Sequence, residues 1–544
     1  MRKLISRHDP IRGEFRAPAS KPETQRALVM ASLADGLTRI GRPLVARETL
    51  VMMEACRALG AKVALLDDRL DVSGIGPIFG PAFGRSPEQN GSSESRYIWA
   101  SGSALVARLF LTIGSAMPER IVVDGKCNLR VRPFGPLTSA LRRSGVEFQF
   151  FDGADRLPCA AVSTRLPGGR YRLGTDVSSQ FATALAISAP LAARAVHIEL
   201  TGPSYSLSYI RQTLSAMKHF GIPVRADDDL RNIEISNERG YRSRDVEITG
   251  DYTSASYILG AAFVTHGHIT VSNLDPENLQ GERAIIDILA KLGARIRWLP
   301  GEDKVDVDCR SLPERVCAEF DLSDCPNILP TVAALAATVP GEVRITGGKL
   351  TQNHKSPRIT ATATELRKAG VHVEVITDSA GFVDGLMIRG AAEYPGDTEF
   401  SDHGDHRIFM ALTLFSLACR TSCAFAETPD TQDSFPEFLA HVSAPVLPVS
   451  PSPIQLAEGH SDHVSLHDEI QDPPSHRHPC RSALRRLAHD QRRSHGGSES
   501  PAWGEGRRRQ HQQRRPVVHL HHRRAERIRR HGDQRSRRPA HPAG

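Results

Sequence analysis

Five times along the chain a helical apolar pattern runs into a glycine and then directly into a β-type run. The stretches are 53–63, 137–148, 213–224, 285–296 and 363–373, with Gly60, Gly145, Gly221, Gly293 and Gly370 at the joints. These glycines lie 85, 76, 72 and 77 residues apart. Glycine just past a helix end can take the left-handed conformation that stops the helix, and the strand signal follows at once. A degenerate sixth copy, 435–442, closes the set. The period is too long for a solenoid unit. It predicts an α/β module of about 70–80 residues used six times, with two or three modules sharing a core.

Each module also carries a second helical run of small apolar residues. These are 24–34, 104–113, 180–189, 253–264, 328–337 and 406–417. They lack a polar face, so they should lie buried in the centres of the domains. Helices buried together with their N-termini pointing one way would gather positive potential at one surface. Ser178, Ser179 and Gln180 stand at the start of one such run, as an anion seat or as an ordinary N-cap. Lys21 and Arg26 stand at the start of another. Two cations there oppose the usual preference at a helix N-terminus; a bound anion would remove the conflict, and solvated surface positions would avoid it.

The net charge of +7 belongs to the end of the chain. Residues 451–544 hold 19 Arg, no Lys and 10 acids, whereas the rest is slightly acidic. A nucleic-acid-binding reading of the whole chain therefore fails. The stretch 445–453 has a linker composition, and beyond it come 13 of the 23 histidines among Arg, Pro, Gly and Ser. That composition cannot bury a core and is expected to be disordered. Three readings stand for it: a flexible basic arm, a metal-binding histidine tract around His476, His478, His519, His521 and His522, or translation of GC-rich DNA outside its original frame. The nine cysteines are scattered, without a C-x-x-C pair, which points to reduced thiols and a cytoplasmic setting. No secretory leader or membrane span is read.

Several motifs fall in a collinear order. They are Lys21 with Arg26, Gly125 with Arg132-Pro133, Ser178-Ser179-Gln180, and Ser206 with Tyr209-Ile210. They continue with the run 250–257, Gln280-Gly281-Glu282, Asp405-His406-Arg407 and Ser434-Phe435-Pro436. In this order the chain resembles the 5-enolpyruvylshikimate-3-phosphate synthase family over about residues 10–442. The Ser-Ser-Gln and Asp-His-Arg pieces fit that branch better than the UDP-sugar enolpyruvyl transferases. The resemblance implies an α/β fold of two similar domains, each of three βαβαββ modules, an inverse α/β barrel. The domains would be 1–19 with 250–445, and 20–249, with 446–544 as the tail. The implied reaction moves the enolpyruvyl group of phosphoenolpyruvate to the 5-hydroxyl of shikimate 3-phosphate. The expectation is a monomer with those two small molecules as partners, no nucleic acid, no membrane, no metal and no organic cofactor.

By the same resemblance Ser178, Ser179 and Ser206 hold the sugar-side phosphate, with Lys21 near both anions. Gln180, Arg26, Tyr209 and Asn327 meet the ring and its substituents. Arg132, Arg358 and Arg407, with Lys21 and Gln180, take phosphoenolpyruvate, whose carboxylate and phosphate suit planar guanidinium forks. Lys21, Asn327, His354 and His406 fall at the chemistry. The chain also departs from the family. Asn327 stands where the family has an acid–base Asp, and an amide cannot take a proton. His354 and Lys355 replace a Lys and a Glu, Asp433 replaces a Lys that meets phosphoenolpyruvate, and Pro22 replaces a Ser. Ser101-Gly102-Ser103 and Arg108 stand two residues further apart than the family pattern. His354, which titrates near neutrality when unperturbed, and Asp324 are the alternative bases. On these residues the alternatives are a diverged paralogue with another anionic acceptor or an impaired anion-binding homologue. Asn327→Asp is expected to raise kcat by up to about 10²–10⁴-fold.

Overall fold

The computed structural model describes residues 3–5, 9–76, 95–162, 166–425 and 431–443. The tail beyond 446, with its histidine clusters, lies outside the described residues. Among the described residues, twelve α-helices alternate between two kinds, and a short thirteenth, Cys127–Arg130, stands outside the alternation. The first pairs are α1 (Lys21–Leu33) with α2 (Arg47–Leu59), α3 (Ala104–Gly114) with α4 (Gly135–Arg143), and α5 (Gln180–Ser188) with α6 (Leu207–His219). They continue as α7 (Tyr252–Val264) with α8 (Ala284–Lys291), α9 (Leu329–Ala337) with α10 (Arg358–Lys368), and α11 (His406–Leu417) with α12 (Phe438–Ser443).

The odd-numbered helices are the small-residue runs, and the reason they sit inside is visible in their composition. Every residue of α3, α7, α9 and α11 is buried. The even-numbered helices are amphipathic: α2 buries Met52, Met53, Cys56 and Leu59 and exposes Glu54 and Arg57. The five joint glycines all hold positive φ, 113°, 100°, 85°, 108° and 86° in chain order. An L side chain there would strain the turn that sends the chain from outer helix into strand.

The inner helices α3, α5, α9 and α11 each join two parallel strands of one sheet, and each of the first five outer helices is followed by an antiparallel hairpin. In the module of α9 and α10, Val316–Asp321 runs parallel to Gly341–Thr346, which pairs antiparallel with Val383–Gly390, itself antiparallel to His372–Thr377. Among the described residues, five sheets have four strands in this order, and the sixth has three. Two modules borrow their first strand from a distant part of the chain. Arg12–Arg16 lies parallel to His268–Ser272, and Val246–Glu247 lies parallel to Ile40–Gly41.

The buried apolar residues form two clusters. One runs from Ala27 to Ile248, and the other takes Ile5, Ala17 and residues from Tyr252 to Val442. The chain passes between them twice, and the two crossings lie side by side. Ser20 N donates to Thr249 O at 2.8 Å and Asp251 N to Pro18 O at 2.8 Å. Gly250 has no alternative there, because a Cβ would stand 1.9 Å from Asn273 O. No described helix is long and apolar enough to cross a membrane.

Candidate functional site

The N-terminal turns of α1, α3, α5 and α11, and the turn before α9, surround one cavity between the two cores. Their free N–H groups and aligned dipoles favour negative charge there. All thirteen site residues named from the sequence line it: Lys21, Arg26, Arg132, Ser178, Ser179, Gln180, Ser206, Tyr209, Asn327, His354, Arg358, His406 and Arg407. Asp324 does not; its carboxylate accepts from Ser208 N at 2.7 Å and faces Arg211 at 3.8 Å.

Seven cationic side chains line the cavity, and Glu48 is the single carboxylate among its lining residues. The conflict expected at the start of α1 is met by this carboxylate. Lys21 Nζ donates to Glu48 Oε2 at 2.9 Å, and Lys355 Nζ lies 3.5 Å from Glu48 Oε1. Burial pushes the Glu48 carboxyl up, but Lys21 and Lys355 outweigh it and hold it below the usual carboxylate range. Lys355 also bonds Asp433, and Arg47 reaches Asp433 at 3.5 Å. Arg47 and Glu48 belong to α2 of the first core, so the Lys355–Glu48 and Arg47–Asp433 pairs bridge the two cores.

Arg26 is turned inward. It donates to Thr213 Oγ1 at 2.9 Å, Tyr209 O at 3.0 Å and Pro22 O at 3.0 Å. Arg108 reaches Ser178 Oγ at 2.8 Å and Gln180 Oε1 at 2.7 Å. Burial, with Arg132 adding to it, pulls the Arg108 guanidinium down to about 9. A cation held that way gains from an arriving anion. Arg358 is held in place by Asp405, with Nε to Oδ2 at 2.7 Å and Nη2 to Oδ1 at 3.3 Å. Its Nη1 donates to Asn327 Oδ1 at 2.9 Å and meets His354 Nδ1 at 3.2 Å. Ser206 holds φ 53°, a conformation few non-glycine residues take, with its N–H bonded to Ser323 O of the second core at 2.8 Å.

His354 departs from the near-neutral titration expected of it. Burial, then Arg358 and Arg132, push its imidazole well below the usual range. His406 is also pushed well below, by burial and Lys355, with Asp405 opposing. Both rings are therefore neutral at pH 7. Four buried polar atoms at the cavity have no hydrogen-bond partner: Ser103 Oγ, Arg108 Nε, Arg132 Nε and His406 Nε2. Buried groups of this kind normally find partners, so they point to a ligand rich in acceptors.

The sequence reading missed Glu48. A glutamate in the first turn of an amphipathic helix is ordinary dipole chemistry, and nothing in the sequence sets it apart. Glu282 sat inside a quoted motif without a role; the structure buries it against Tyr209 and Asn327. Arg108, displaced in spacing, reaches the site because α3 aims it there.

Six α/β modules around a cleft lined by seven cationic side chains and one carboxylate make a site suited to small, multiply charged anions. The family model described as EPSP synthase (3-phosphoshikimate 1-carboxyvinyltransferase) matches residues 5–442. The chain belongs to that family. It is 34% identical over 434 residues to the 3-phosphoshikimate 1-carboxyvinyltransferase of Methanothermobacter thermautotrophicus, covering 80% of this chain and 96% of the relative. It is 32% identical over 433 residues to the protein of the same name from Mannheimia haemolytica, covering 79% and 95%. An EPSP synthase structure from Acinetobacter baumannii shares the fold with a TM-score of 0.64 at 20% identity, covering 81% of this chain and 97% of that one.

Proposed function

We propose that this chain transfers the enolpyruvyl group of phosphoenolpyruvate to the 5-hydroxyl of shikimate 3-phosphate and releases phosphate. The observation that carries the reading is the cavity with seven cations, one carboxylate and four unpartnered buried polar atoms. The two substrates together bring two phosphates and two carboxylates, which is the complement of that lining. Arg132, Arg358, Arg407 and Lys21 take phosphoenolpyruvate, with Gln180 beside it. Ser178, Ser179 and Ser206 take the sugar-side phosphate, and Arg26, Tyr209 and Asn327 face the ring. Arg358 arrives pre-oriented by Asp405, so little ordering remains to be done on binding. His354 and His406, both neutral, offer ring nitrogens to the reacting groups without adding charge.

The two cores act in this reading as two domains, 1–19 with 250–445 and 20–249, that close over the substrates and exclude water. The protein works as a monomer in the cytoplasm. Phosphate release from phosphoenolpyruvate in the presence of shikimate 3-phosphate, and its absence when either is omitted, tests the reaction. Binding of both substrates without release would replace this reading with that of an anion-binding homologue, which the exchange of Asp for Asn at 327 favours. Small-angle scattering that shows no compaction with both substrates bound would refute the closure.

A further inference from the structure

The alcohol that attacks the enol carbon must lose a proton, and Asn327 has no atom that can take it. Behind Asn327 the structure holds a hydroxyl and a carboxylate in contact. Tyr209 Oη donates to Glu282 Oε1 at 2.5 Å. Asn327 Nδ2 donates to Tyr209 Oη at 2.8 Å and lies 3.3 Å from Glu282 Oε1. The orientation of the Asn327 amide follows from Arg358, because a guanidinium only donates and therefore takes Oδ1. Tyr209 and Asn327 line the cavity, whereas Glu282 is 1% exposed and stands one residue back.

A phenol oxygen has one hydrogen and two lone pairs. The hydrogen of Tyr209 goes to Glu282 and one lone pair takes the Asn327 N–H. No other hydrogen bond to Tyr209 Oη is seen among the described residues, and Tyr209 lines the cavity, so the remaining lone pair is left for a substrate hydroxyl. We propose that Glu282 is the terminal proton acceptor for the acceptor alcohol and that Tyr209 relays the proton to it. This rests on the enolpyruvyl-transfer reading above. The alcohol proton passes to Tyr209 Oη while the phenol's own proton passes to Glu282 Oε1. Over the turnover the alcohol O–H bond and the C–O bond to phosphate break, and the alcohol O–C bond forms. The C–O electron pair leaves with phosphate, which then takes the proton held by Glu282, and the relay resets. Asn327 is a positioning residue here, holding Tyr209 Oη from one side and Arg358 from the other.

The environment of Glu282 makes it a better proton acceptor than an ordinary carboxylate. Burial raises its carboxyl above the ordinary range, and Asp251 acts in the same direction. The Tyr209 hydrogen bond and Arg407 oppose the rise. Arg26 faces it from α1, and the buried Cys325 thiol, itself pushed up by burial, lies on the side of the turn before α9. The carboxylate is the active form, so the rate must fall as pH falls through this raised value.

The test is kcat for phosphate release by the full-length protein with both substrates saturating, from about pH 5 to 9. The wild type should show an acid limb above the ordinary carboxylate range. Glu282→Gln, nearly isosteric, should lower kcat by about 10²-fold or more and erase that limb, with the KM for phosphoenolpyruvate changing less than about threefold. Tyr209→Phe removes a single oxygen and should do the same, which decides the matter if Glu282→Gln does not melt cooperatively. In mixtures of light and heavy water the wild-type rate should follow a bowed curve, as two protons move together. An acid limb that survives in Glu282→Gln, or a kcat within about threefold of wild type, overturns the relay alone. Absence of phosphate release by the wild type overturns the reaction and the relay with it.

Discussion

Asn327→Asp is the substitution whose expected outcome the structure changes most. On sequence alone it restores a missing base and should raise kcat strongly. In the structure the new carboxylate oxygen would replace Nδ2, 3.3 Å from Glu282 Oε1 and 2.8 Å from Tyr209 Oη. At an effective dielectric constant of about 20, two unit charges about 3.3 Å apart repel by about 5 kcal/mol. One pKa unit corresponds to about 1.4 kcal/mol, so the pair holds one proton to a higher pH than either carboxylate would alone. Arg358, 2.9 Å from Oδ1, offsets part of this, but Asp405 already shares its charge. The two carboxylates then titrate as a pair. At pH 7 the variant should gain less than about tenfold in kcat, against the 10²–10⁴-fold a free base would supply. Its acid limb should move up by about one unit or more. The assay is phosphate release under saturating substrates across the same pH range, with a thermal melt to confirm folding. A rise of about 10²-fold at pH 7 with an unmoved acid limb would refute the reasoning, because it would mean that Glu282 carries no negative charge in the working enzyme.

Arg358→Gln should raise the KM for phosphoenolpyruvate by about 10²-fold, from the loss of charge-assisted bonds of about 1.5–3 kcal/mol. It should also lower stability by about 3–5 kcal/mol, because Asp405 is left buried without its counter-charge; titration calorimetry and melting check the two separately. Asp405 is held below its ordinary range, chiefly by Arg358 against the opposing effect of burial. Its contribution to stability is therefore present above about pH 4 and lost only as pH falls further, and acid titration of the melting temperature should show that loss vanish in Arg358→Gln. Lys355→Glu and Asp433→Lys should each depress activity and melting temperature, and the double exchange should recover part of both, as a double-mutant cycle reads. A chain ending at residue 445 should keep its cooperative melt, since the composition beyond cannot form a core; a collapse of the transition would overturn that.

The elements that could be read from the sequence are those whose determinants are local. The joint glycines, Gly60 through Gly370, sit where helix and strand patterns meet, and each holds the positive φ its place demands. The inner helices showed themselves by lacking a polar face, and His406–Leu417 is buried along its whole length. The pairing of Arg12–Arg16 with His268–Ser272 was not legible, because nothing local specifies a partner so distant in the chain. The same divide runs through the site. Residues in motifs were assigned, whereas Glu48 and the contact of Glu282 with Tyr209 depend on where helices land after folding. The titration of His354 failed for a related reason: the imidazole's ordinary value holds in water, and here two guanidiniums and burial surround it.

Two of the departures from the family pattern become one change when read in three dimensions. The resemblance to the family puts Glu at the position of Lys355 and Lys at that of Asp433, which would make both signs reversed here. The structure puts the two side chains in direct contact, with side-chain exposures of only 13% and 19%. A buried charge without a partner costs several kcal/mol, so reversing either charge alone would be destabilising, whereas exchanging both can keep an ion pair. The reversal also alters its surroundings. It sets a cation against Glu48 at 3.5 Å, on the opposite core, so that one carboxylate now answers two lysines. An arriving anion competes with Glu48 for both Lys21 and Lys355 and so draws on charge that already bridges the two cores. Asn327 has no such compensating partner of reversed sign. Its neighbour is the carboxylate of Glu282, already present and hydrogen-bonded through Tyr209. The charge pair at the mouth and the amide at the centre are therefore different kinds of departure: the first keeps an interaction by exchanging its ends, and the second leaves the proton to a group one residue deeper.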